Sequence, residues 1–200
     1  MYEAIVPNFI GPESVMPDTN PSNERVVPYS GVILGLVLAL IGGIAVSATN
    51  KYSQKLPDGV PFSDFKGYED WQFVSMSQTD DRLKVILGNP AIIAAFKSGI
   101  PGNGKPFPDG AKLAKVQWKP KKSTEAPFAV NVPDTLADLF FMEKDSKRFP
   151  DSGGWGYAQF DYDPKADTYS ADKAGTPQCG NVCHLAVKAK DYVFHPYQKR

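Results

Sequence analysis

The chain has 200 residues, with 22 Lys and Arg against 22 Asp and Glu. That length suits one domain with something attached. The charge balance argues against nucleic acid as a partner, because such binding rests on clustered basic charge. Aromatic residues make up 12% of the chain, with nine Tyr and twelve Phe, enough to line a cofactor pocket or to fill a small β-rich core.

Residues 1–30 are rich in Pro, Asn, Ser and Glu and read as an irregular arm without a core of its own. From Val26 to Asn50 there is no charged residue, and Gly31 to Thr49 is almost wholly apolar. At about 1.5 Å per residue, the stretch 31–49 predicts a single transmembrane helix. A secretory signal peptide is the competing reading, with Val46-Ser47-Ala48 as its cleavage site. The long region before it carries Glu3, Glu13, Asp18 and Glu24 instead of a basic cluster, which favours a retained anchor. Gly31, Gly35, Ala39, Gly43 and Ser47 fall at successive i+4 positions. Such a stripe of small residues lets membrane helices approach closely, so a helix partner is expected, either a second copy in a homodimer or another subunit of a membrane complex. Glycine is also simply common in membrane helices.

Residues 50–66, with Pro57, Gly59 and Pro61, read as a linker to a soluble domain over 67–200. The expected order there begins with a strand over Trp71–Ser77, a turn at Thr79-Asp80-Asp81 and a strand over Arg82–Leu87. Asn89-Pro90 is a helix start, with Asn as N-cap and Pro in the first turn. The helix Pro90–Ser98 turns Ile92, Ile93 and Phe96 inward and ends at Gly99. A loop over Pro101–Gly110 leads to a strand over Ala111–Lys119, a basic connection to Pro127 and a buried strand over Leu136–Glu143. Gly154–Tyr162 alternates, with Trp155 and Tyr157 on one face and Phe160 and Tyr162 on the other. A helix over Thr176–Lys188 precedes the tail from Tyr192 to Arg200. The predicted class is α+β, a mostly antiparallel sheet with a few helices.

Both cysteines of the chain lie in Cys179-Gly180-Asn181-Val182-Cys183-His184. This C-x-x-C-H run is the attachment signature of a c-type haem. Two thiols three residues apart lie on one side of a helical turn, so each can form a thioether to one haem vinyl group. The adjacent His184 then offers an imidazole nitrogen to the iron. A structural zinc site needs two further ligands at similar spacing, and the chain has no second C-x-x-C or H-x-x-x-H. A thioredoxin-like pair follows an early strand of a βαβ unit, whereas this motif lies near the C-terminus. The expected cofactor is therefore one covalently attached haem c, with His184 as metal ligand. Arg25 before the apolar stretch and Lys51 and Lys55 after it lean weakly toward a cytoplasmic C-terminal part. Haem attachment takes place outside the bacterial cytoplasm and outweighs that bias. The expected location is the inner membrane, single-pass, with the haem domain in the periplasm.

A β-rich domain with its haem motif last resembles the cytochrome P-460 family, which includes the β-sheet cytochromes c′. The resemblance covers roughly Gly67 to Tyr197. It rests, in order, on Tyr68-Glu69-Asp70-Trp71, Phe107-Pro108-Asp109-Gly110 leading into Lys115, Lys144-Asp145-Ser146-Lys147-Arg148-Phe149, Gly154-Trp155, the C-x-x-C-H and Asp191-Tyr192-Val193-Phe194. The family implies a dimer of small β-rich domains, each with one haem held by a single proximal histidine and open on its distal face. In hydroxylamine-oxidising members a strand lysine, five residues after the Gly of a D-G turn, is bonded to a meso carbon of the porphyrin. Lys115 occupies that position after Gly110. The gas-binding cytochromes c′ of the family lack it.

Alternation puts Ala111, Leu113, Lys115 and Gln117 on one face of the strand and Lys112, Ala114, Val116 and Trp118 on the other, and most strand lysines are solvated. Glu143 and Asp151 are candidates for a distal proton carrier by location only; Gln178 beside the haem cysteine is not an acid. Phe140 and Phe141 are candidates to cap the distal face. Arg82 is a candidate partner for a haem propionate, since a guanidinium suits a carboxylate. His195, Met76 and Met142 are possible sixth ligands. The expected function is a membrane-anchored cytochrome doing redox chemistry on hydroxylamine or nitric oxide and passing electrons to a redox partner protein. An electron-transfer subunit of a membrane complex and a gas-binding protein are the alternatives.

Overall fold

A computed structural model describes residues 51–56, 59–172 and 177–200. The arm, the expected transmembrane helix and its stripe of small residues lie outside the described residues. Among the described residues no helix is long and apolar enough to cross a membrane.

Six strands form one antiparallel sheet in sequence order: β1 (Gln72–Thr79), β2 (Arg82–Gly88), β3 (Lys112–Lys122), β4 (Asn131–Lys144), β5 (Trp155–Asp163) and β6 (Thr168–Ala171). Each strand pairs antiparallel with its chain neighbour, β1 and β2 across a two-residue turn and β2 and β3 across a longer connection that holds a helix. Helix α1 (Pro90–Lys97) starts as expected, with the Asn89 side chain accepting from the backbone N–H of Ile92 at 3.1 Å. The same carboxamide donates to the carbonyl of Gly110 at 2.8 Å, pinning the start of β3 to the start of the helix.

Because strand residues alternate, the sheet buries apolar side chains on both faces. On one face Val74, Ile92, Ile93, Phe107, Leu113, Met142, Trp155 and Tyr157 form a core with Tyr192 and Val193. On the other, Ala114, Val116, Leu139, Phe141 and Phe160 pack with Leu56, Val60, Phe62, Phe65 and Tyr68. The stretch expected as a linker is thus part of the domain. Its prolines read as punctuation, but its apolar residues are what cover the second face. Phe65 stacks on Phe141 with ring centroids 4.0 Å apart.

Three further differences have local causes. The β3–β4 hairpin is longer than expected because Lys121 pairs with Val132 and Pro120 with Pro133 beyond the covered sheet. Those residues show no apolar alternation, so backbone pairing alone marks them as strand. The short edge strand β6 carries too weak a pattern to be read. The haem-motif helix, α2 (Pro177–His184), stops at the histidine and continues as a 3-10 turn, Leu185–Lys190, kinked at Val187.

Candidate functional site

On the first face lies a cavity of about 360 Å³, walled by Val74, Ile86, Leu113, Phe140 and Met142 and reached by Lys115, Cys183, His184 and His195. Its floor is β1–β5 and its rim is α2 with the tail that follows. Gly180 makes that seating possible: a Cβ there would lie 2.5 Å from the Tyr157 ring, so only glycine lets α2 approach β5 this closely. Cys183 is exposed with a free thiol. Cys179 lies on the same helix; its side chain lies outside what the structure describes.

His184 is held from three sides. Its ring contacts Tyr157 at 5.1 Å and Phe194 at 4.8 Å between centroids. Its Nδ1 is 2.6 Å from the carbonyl oxygen of Tyr192, so Nδ1–H donates there and Nε2 remains as the free ligand atom. Burial lowers the His184 pKa below its ordinary value, the nearby Lys115 adds to this, and the Tyr192 hydrogen bond opposes both. A neutral imidazole with a free Nε2 is the form that ligates a metal.

Lys115 lies between Ile86 and Phe140 in the sheet register. Its ammonium sits 3.9 Å from the centre of the Phe140 ring. Burial lowers its pKa; Lys84 on β2 adds to that, while Asp138 on β4 and Cys183 on α2 pull the other way. A depressed folded-state value means that the unfolded chain binds more protons between that value and 10.5, so stability rises with pH through that window. Below the window the penalty of burying the charge is fully present. In chains carrying no haem, Lys115→Met should be more stable than the parent near neutrality. It should also lose most of the rise in denaturation midpoint between pH 7 and 10.5. Equal pH slopes for the two proteins would show that Lys115 is solvated.

Other candidates are placed differently. Arg82 donates to the Asp81 carbonyl at 2.8 Å and carboxylate at 3.0 Å, with Asp138 3.7 Å from its Nε. It is not among the cavity residues, because the β1–β2 turn holds it at the sheet's end. Glu143 faces the other side, paired with Lys112 and Arg148, each at 3.0 Å. Asp151, in the short 3-10 helix Pro150–Ser152, and Met76, exposed on β1, do not line the cavity either. Phe140 and Phe141 both border the cavity, and the Phe141 ring stacks on Phe65 in the core of the other face. Met142 is both cavity wall and core.

The acid that sequence reasoning missed is Asp138, buried one row along from Lys115 and hydrogen-bonded to Gln117. Burial raises its pKa, against the pull of Gln117 and Arg82. Only the strand register brings it near, so no local signal marks it.

The cavity's residues fit a haem. The walls are apolar, a free thiol and a histidine with one unengaged nitrogen stand at one side, and a lysine stands in the wall. The short motifs have structural work as well: Asp109 accepts from the Ser146 N–H at 2.8 Å and hydroxyl at 2.7 Å, which ties the D-G turn to the end of β4. No curated protein matches the chain. The sequence profile of cytochrome P-460 matches residues 65–195, which spans the cavity, its sheet and the haem motif. A haem cytochrome is what these features describe, and the chain belongs to the cytochrome P-460 family.

Proposed function

We propose that the chain is a membrane-anchored periplasmic monohaem c-type cytochrome that carries out redox chemistry on a small nitrogen compound, hydroxylamine or nitric oxide. The observation that carries this reading is the meeting of Lys115, Cys183 and His184 on one cavity. Cys179 and Cys183 would hold the macrocycle by thioethers, and His184 would ligate through Nε2. Lys115, its pKa lowered by burial, places its amine in the cavity where the family's cross-linking lysine would stand. Haem held there would supply a redox-active iron for chemistry on a small nitrogen compound. Phe140 and the aliphatic walls make that space apolar, which disfavours water there. Asp138 stands close enough to Lys115 to act on its pKa and is the acid proposed to hold a proton beside it. The electron acceptor is a redox partner protein, and the small-residue stripe of the anchor is the proposed contact with a second copy or another membrane subunit.

One observation favours the electron-carrier alternative: His195 lines the same cavity as His184, so a second imidazole is available within the site. Absorption spectra of the oxidised and dithionite-reduced protein, with intact masses, separate the readings. A red-shifted ferrous Soret band that reverts to an ordinary c-type position in Lys115→Met, with the haem mass retained in both, is the expected result. Sharp ordinary α and β bands in the parent protein would overturn the lysine bond and leave a six-coordinate electron carrier.

A further inference from the structure

Two segments far apart in the chain, the end of β4 and the turn after the haem motif, meet at a buried ion pair. Lys144 is 5% exposed. Its ammonium donates to both carboxylate oxygens of Asp191, at 2.8 and 2.9 Å, and to the carbonyl of Gly153 at 2.8 Å. Asp191 in turn accepts from the backbone N–H of Phe107 at 2.7 Å. One carboxylate thereby ties β4, the loop before β3 and the tail together.

The tail at this point has an unusual backbone. Asp191 and Tyr192 both have positive φ, +47° and +65°. Side-chain-bearing residues rarely adopt that region, and two in succession persist only where the surroundings over-determine them. The surroundings here are the Lys144 clamp on Asp191 and the close seating of the Tyr192 ring over Gly153, where a Cβ would lie 2.2 Å from the ring. This backbone aims the Tyr192 carbonyl at Nδ1 of His184.

We infer that Lys144 and Asp191 are positioning residues for the proximal histidine: their ion pair holds the left-handed turn whose Tyr192 carbonyl accepts from His184, and so sets the basicity that the imidazole brings to the iron. The inference rests on the haem reading above. A partner that accepts from the far nitrogen of a ligating histidine fixes the ring and makes it a stronger donor. Stronger donation from the axial ligand stiffens the iron–histidine bond and lowers the reduction potential, a lever of this kind being open to any haem protein.

The test compares two buried pairs in the haem-loaded protein. Lys144→Met/Asp191→Asn removes the clamp without orphaning either charge. Lys112→Met/Glu143→Gln removes a partly buried pair on the opposite face of the sheet, away from Tyr192. Resonance Raman spectra of the ferrous proteins read the iron–histidine stretch, and redox titration reads the midpoint potential. The expected result is a lower stretching frequency and a raised potential in the clamp variant, no shift in the other pair, and parent values in the conservative Lys144→Arg. Asp191→Glu keeps both charges and lengthens the clamp by one methylene; it gives the same reading should the double variant not fold. An unmoved frequency in the clamp variants, or equal shifts in both pairs, overturns the inference while the haem reading stands. A parent protein without covalently bound haem, seen by intact mass, overturns both.

Discussion

Phe62→Ala should lower the unfolding free energy by about 3–5 kcal/mol, seen as a lower denaturant midpoint at unchanged slope. Phe62 is fully buried. Its ring meets Phe160 at 4.9 Å, Phe141 at 5.1 Å, Tyr169 at 5.2 Å and Tyr52 at 5.7 Å between centroids. Truncation removes the contacts of all four rings and opens a cavity that a sheet face cannot close by shifting, because β-pairing fixes the strand spacing. The variant also tests where the domain begins. Residues 51–66 carry no regular alternation, yet Leu56, Val60, Phe62 and Phe65 are the inner layer over the second face. A loss below about 1 kcal/mol would mean that this segment lies outside the cooperative unit. The haem cavity is on the opposite face, so the molecules that remain folded should keep their haem.

Lys144→Met should cost a similar amount, about 3–5 kcal/mol, because it leaves the Asp191 carboxylate buried without its counter-charge. The ammonium also lies 5.1 Å from the centre of the Trp155 ring, an attraction lost in the same change. Adding Asp191→Asn should recover most of the loss, since an amide in that position needs no counter-ion and still accepts from Phe107. Urea melts of the parent, both single variants and the double variant form the cycle that measures this coupling. Additive losses would show that the pair contributes no coupling energy of its own. Salt should change the outcome little, because a pair this buried is poorly screened.

These two residues also mark where sequence reasoning reached its limit. The motif Lys144 to Phe149 and the tail Asp191 to Phe194 are each visible as short runs, but nothing local says that Lys144 reaches Asp191 across 47 residues. The same holds for Arg82. A strand arginine suits a propionate chemically, and the β1–β2 turn nevertheless holds it against Asp81 and Asp138. Glu143 is adjacent to cavity residues in sequence but alternation turns it to the other face, into the Lys112–Arg148 cluster. By contrast the core strands, the start of α1 and the split of Trp155 and Tyr157 from Phe160 were legible, because they follow from period-two alternation and an Asn-Pro cap.

The sequence by itself determined the class of the fold, the place of the haem motif and the residue types available for binding, all of which depend on spacings within one or two turns of chain. The tertiary structure decided which face of β3 the cavity occupies, and therefore that Lys115 and not Lys112 points into it. A strand exposes two faces that alternation alone cannot tell apart. They became different only when Leu56, Val60, Phe62, Phe65 and Tyr68 covered one of them and α2 with its tail covered the other, and those coverings are contacts between segments too distant in sequence for any local pattern to announce.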